Sequence, residues 1–209
     1  MRSTEWTLLL MLSSLLLGAC SGTPPRVDEQ FTVIPGQQAP SQQTAVTPPD
    51  PATLTAYQNA LQAMRSGNKA QAKARLQGLI EQQPGLAGPY INLGILLQAE
   101  NDLARAEAAF RSALEQNPHN AIAYNQLGLL LRQQGRFPEA QDAYQAALLK
   151  DPNYPLAHCN IGILYDLYLR QPGKALEHYQ RCQDLMGQPN PEIKLWIADL
   201  QQRIHKEKP

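Results

Sequence analysis

Pro84, Pro118 and Pro152 stand 34 residues apart, as do Gly94, Gly128 and Gly162, and Ala72, Ala106 and Ala140. Three residue types held in one register at one period define a repeating unit. A unit of that length cannot bury an apolar face alone, so it stacks on its neighbours and the stack grows as a solenoid. A solenoid offers an extended surface to other proteins, and that surface, rather than a reaction cleft, is the first place to look for function.

The segment 121–154 shows what the unit contains. Its first half, AIAYNQLGLLLRQQG, places Tyr124, Leu127, Gly128 and Leu131 on one helical face. Gly135 breaks that helix, because glycine enters the turn conformations other residues avoid. The second half, PEAQDAYQAALLKDP, sets Ala140, Tyr144 and Ala147 in a second apolar stripe, with Pro138 near the helix start and Pro152 just beyond its end. Small residues at Gly128 and Ala140 allow the two helices to approach closely, and the tyrosines fill the volume beside the contact.

This pattern resembles the tetratricopeptide repeat family. The unit from Ala87 carries the motif at Tyr90, Leu93, Gly94, Leu97, Ala106, Phe110, Ala113 and Pro118. The unit from Ala121 carries it at Tyr124, Leu127, Gly128, Leu131, Ala140, Tyr144, Ala147 and Pro152. The unit from Pro155 keeps Ile161, Gly162, Tyr165, Ala175 and Tyr179, but has His158 at the large aromatic position, Cys182 at the last small position, and one extra residue in its turn. The unit from Thr53 is degenerate, with Ala60 for the glycine and Asn59 for the leucine. The resemblance implies an all-α, right-handed α-solenoid of helix pairs, with units at 53–86, 87–120, 121–154 and 155–189. A helix over 190–209, apolar at Ile193, Trp196, Ile197, Leu200 and Ile204, is expected to cap the open end.

The front of the chain reads differently. Residues 1–19 have the form of a targeting segment: Arg2, then an apolar run from Trp6 to Leu17, too short to span a bilayer. Leu17-Gly18-Ala19-Cys20 resembles the bacterial lipoprotein cleavage box, which implies lipidation of Cys20. Ser21, rather than Asp, follows the cysteine, and by the same resemblance this implies the periplasmic face of the outer membrane. Residues 20–52 are rich in Pro, Gln, Thr and Ser and read as a tether, with a short apolar island at 31–34. Treated as a coil, such a tether reaches roughly 30 Å.

Eighteen basic and eighteen acidic residues balance, and no basic run occurs, which argues against a nucleic-acid partner. The sequence holds none of the common nucleophile, zinc-protease, phosphate-loop or dinucleotide motifs, so no cofactor and no enzymatic activity are expected. With Cys20 assigned to lipid, Cys159 and Cys182 remain. They stand either as a disulfide, as two thiols packed at helix contacts, or, with His178, as a metal or reactive site.

In tetratricopeptide repeats the first helix of each unit lines the concave face. Carried over residue by residue, this gives Gly88, Ile91, Ile95, Gln98 and Ala99 in one unit. The next gives Ile122, Asn125, Leu129, Arg132 and Gln133, and the third Leu156, Cys159, Ile163, Asp166 and Leu167. The resulting groove is mostly apolar and suits an extended or helical peptide. The resemblance therefore implies a membrane-anchored adaptor that holds a cell-envelope protein. Its narrower form is a pilotin-like assembly factor for a pilus or secretion secretin. A self-associating structural lipoprotein is a third reading.

Overall fold

The computed structural model describes residues 50–207. Cys20, the targeting segment and the apolar island at 31–34 lie outside the described residues. Nine α-helices and one π-helical turn follow one another, with no strand among the described residues: α1 Pro51–Arg65, α2 Lys69–Gln82, α3 Ala87–Ala99, α4 Leu103–Gln116, α5 Ala121–Gln133, α6 Phe137–Lys150, α7 Pro155–Ile163, the π turn Leu164–Tyr168, α8 Pro172–Leu185 and α9 Pro191–Glu207. Helix α1 begins inside the stretch that the sequence assigned to the tether.

Helices pair in sequence, α1 with α2, α3 with α4, α5 with α6 and α7 with α8, and each pair packs on the next. The starts are set locally. Asp50 accepts backbone N–H bonds from Ala52 and Thr53, and Asn68, Asp102 and Asn120 accept from Gln71, Arg105 and Ala123 in the same way. Each satisfies donors that a helix start leaves unpaired. At α8, Pro172 takes the opening position, where no N–H is needed.

The ends repeat as well. Gly67, Asn101, Gly135 and Arg170 all lie in the left-handed region, with φ of 73°, 61°, 76° and 50°. In the first three pairs the residue after it donates back into the helix, Asn68 to Ala63, Asp102 to Leu97 and Arg136 to Leu131. In the last pair the bond runs one residue further, from Gln171 to Tyr165, and Leu169 donates to Leu164. The extra residue of that unit is thus absorbed in the π turn that ends its first helix, before the connecting loop begins.

Inside each of the next three pairs a glycine faces an aromatic ring. A Cβ on Gly94 would lie 2.5 Å from Phe110, on Gly128 2.7 Å from Tyr144, and on Gly162 2.7 Å from Tyr179. Real side chains do not approach so closely, so glycine here is a packing requirement. The first pair reaches the same fit by a different exchange. Ala60 and Leu76 take the glycine and aromatic positions, and both are fully buried. A smaller partner leaves room for a methyl group, which is why that unit looked degenerate in sequence.

Helix α9 closes the stack. Ile193 and Leu200 are buried, and Trp196 packs on Tyr179 with ring centroids 5.3 Å apart. In the repeat register Ile197 occupies the glycine position. No second helix follows α9 among the described residues, so no aromatic ring demands the space.

Candidate partner-binding groove

The first helices touch across units, α3 with α5 and α5 with α7. Polar rungs tie their shared face together. Asn92 donates to the Tyr57 hydroxyl at 2.6 Å, Gln98 to the Gln133 side-chain carbonyl at 2.8 Å, and Asn160 to that of Asn125 at 3.0 Å, each pair 35 residues apart. The last rung is ionic: Arg203 of α9 meets Asp166 at 2.6 Å. These bonds run from each unit to the next and fix the angle at which the pairs stack.

They also sort the residues expected to meet a partner. Ile91, Asn125, Leu129 and Ile163 are buried. Asn125 is only 2% exposed, so its side chain is spent on Asn160 and not offered outward. Asp166 keeps 9% of its side chain exposed and is held by Arg203. The sequence reading placed these two at the working surface, and the structure assigns them to the joints between repeats. Both are polar side chains that tertiary contacts recruit from outside the unit, which periodicity within one unit does not reveal. Ile95, Gln98, Ile122 and Arg132 are partly exposed and Gln133 is exposed. They form the accessible part of the face, joined at its edges by Leu54, 47% exposed, and by Leu167 and Tyr168 on the π turn. Tyr57, Arg203 and Tyr168 were missed by the sequence reading. Tyr57 belongs to the unit whose motif is most eroded, and Arg203 belongs to a helix outside the period.

Arg132 lies in the last turn of α5. Beneath it the Tyr144 hydroxyl is buried without a hydrogen-bond partner of good geometry. Burial pushes that phenol's pKa upward, and the nearby guanidinium opposes the shift. Burial likewise raises Tyr57 to about 12, with the Asn92 bond acting against it.

Cys159 and Cys182 are joined in a disulfide, with Cα atoms 5.3 Å apart, between α7 and α8. Both sulfurs are buried and committed to each other, so neither is a thiolate for a metal or for nucleophilic attack. His178, the third member of that alternative, faces His158 with their Nδ1 atoms 3.0 Å apart. His158 Nε2 lies 3.0 Å from the Pro152 carbonyl. A proton on His158 Nε2 then serves that carbonyl, and His178 Nδ1–H donates to His158 Nδ1. Burial, then the charges of His158 and Lys174, lower His178 to about 4, and burial lowers His158 too. The pair is neutral at physiological pH. Among the described residues no group of His, Cys, Asp and Glu has the form of a metal site.

Comparison with known proteins agrees with this geometry. Residues 91–158 match the family model described as tetratricopeptide repeat. No curated protein matches the sequence. Among solved structures, the Pseudomonas aeruginosa pilF protein is similar at 28% identity, with TM-score 0.68, over 74% of this chain and 70% of that one. MamA is similar at 21% identity with TM-score 0.57, over 65% of this chain and 78% of that one. A thermophilic TPR protein of Thermus thermophilus is similar at 19% identity with TM-score 0.62, over 75% of this chain and 84% of that one. The last two establish likeness of fold.

Proposed function

For a chain whose helix pairs stack as tetratricopeptide repeats, we propose a non-catalytic adaptor role. In this reading Cys20 carries lipid at the periplasmic face of the outer membrane, and the first-helix face holds a protein of the cell envelope. The fold is compatible with protein–protein interaction in general. The observation that carries the narrower reading is the division of the first-helix face. Its buried residues lock repeat to repeat, while the apolar Ile95 and Ile122 and the polar Gln98, Arg132 and Gln133 stay accessible. The side chains that could have supported chemistry, Cys159, Cys182, His158 and His178, are engaged with one another.

Two further features support the location. The disulfide suits an oxidising compartment. The tether and lipid would raise the partner's effective concentration near the membrane without any new contact. A pilotin-like assembly role is the more specific form, and the likeness to the pilF structure is the reason to test it before other adaptor roles.

The test is a crosslinked pull-down from envelopes, using the full lipid-bearing chain and an Arg132→Ala/Gln133→Ala variant. Loss of one envelope protein from the variant is expected. An unchanged captured set would remove the first-helix face from the account.

A further inference from the structure

Arg132 lies in the last turn of α5. Among the described residues no carboxylate pairs with it, whereas Arg105, Arg111, Arg136 and Arg203 each have one. The acidic residue that the repeat register would bring nearest, Asp166 of the next unit, is already held by Arg203. Below Arg132 lies the buried Tyr144 hydroxyl, which lacks a hydrogen-bond partner of good geometry, and Gln133 uses its side-chain carbonyl to accept from Gln98, leaving its N–H groups as donors. This part of the face therefore presents donors and a positive charge. On the same face, Ile95 and Ile122 are apolar and partly exposed.

Building on the groove reading above, we propose that the occupant of this face is a peptide segment carrying an internal Asp or Glu side chain that pairs with Arg132, flanked by apolar side chains that cover Ile95 and Ile122. A carboxylate accepts only, and the guanidinium and the Gln133 amide N–H groups donate, so the two sets match. Arg132 is the single cation of α5, and one cation suits one carboxylate. A phosphorylated segment is normally gripped by several arginines, and Arg65, near the end of the first helix of the first unit, is bonded to Gln62 on its own helix. The same scarcity of cations argues for a side-chain carboxylate over a chain terminus.

The test uses the full-length chain in detergent and short apolar peptides, each made amidated and with a free C-terminus, that differ only in one central residue, Asp, Glu, Asn, Gln or Lys. Peptides bearing Asp or Glu are expected to bind about tenfold more tightly than their amide counterparts, the gain of a charge-assisted hydrogen bond. That preference should vanish in Arg132→Gln, persist in part in Arg132→Lys, and turn toward Lys peptides in Arg132→Glu, with each variant's melting temperature recorded alongside. Equal binding of Asp and Asn peptides, an acidic preference that survives Arg132→Gln, or binding only of peptides with a free C-terminus would overturn the proposal. In each of these cases the groove reading would stand. Failure of every peptide class to bind would sink both.

Discussion

The central pair α5–α6 and the following pair α7–α8 have the same plan and are held together differently. In the central pair the period is unbroken. Gly128 receives the Tyr144 ring and Gly135 ends the first helix in the left-handed region. In the following pair Gly162 still receives Tyr179, but an extra residue forces a π turn, and Arg170 takes the left-handed position. That pair also has devices the central one lacks, the Cys159–Cys182 disulfide and the His158–His178 contact. Most of the repeat can therefore drift, provided the glycine–aromatic interlock survives and something else offsets the loss. The first pair extends the lesson, because Ala60 with Leu76 keeps the interlock while changing both of its members.

The largest effect should come from breaking the interlock. Gly128→Leu drives a branched side chain into the Tyr144 ring and should cost about 3 kcal/mol or more, since overpacking leaves nowhere to relax. Chemical denaturation would measure it, and an unchanged midpoint would refute the assigned register. Reducing the disulfide comes next. The bridge spans 23 residues, and opening a loop of that length should cost about 3 kcal/mol through chain entropy. Denaturant midpoints with and without dithiothreitol would show it, and no shift would mean the α7–α8 pair holds without its staple.

The histidine contact gives a smaller, pH-dependent effect. His178 titrates near 6.5 when unfolded and near 4 when folded, so the unfolded chain binds the proton first as pH falls. Stability is full above about pH 6.5 and declines toward pH 4. Allowing for the ring's partial exposure to water, the loss is about 1 kcal/mol. Thermal melts across that range should show a shallower slope in His178→Leu, with the remainder from His158, and an unchanged slope would place its origin elsewhere. The smallest change is a gain. Arg170→Gly relieves a side chain in the left-handed region and should stabilise by about 0.5 kcal/mol, read as a small rise in melting temperature. A fall would mean that the Arg170 side chain contributes more than its backbone costs.

What was legible in sequence follows from the same physics. The 34-residue register marks positions where steric fit leaves little choice, so Gly94, Gly128 and Gly162 and the rings opposite them could be read directly. Helix α9 was legible as an amphipathic terminus with Ile193 and Leu200 inward. The groove was less so. Asp166 shares its helix position with the partly exposed Gln98 and Arg132, and a contact made 37 residues away holds it inward; Asn125 is tied to Asn160, 35 residues away. The placement of the extra residue was equally hidden, because a turn and a π-helical turn are near alternatives on local propensity. Hydrogen bonds from Leu169 and Gln171 decide between them.

The most direct test of the account compares two exposed positions in the full-length chain within cells. A photo-crosslinking residue at Gln133 sits on the first-helix face, and one at Leu149, 78% exposed on α6, sits on a second helix. The residue at Gln133 is expected to capture a specific envelope protein, and the one at Leu149 is not. Capture from Leu149 alone would contradict this and move the working surface to the second helices.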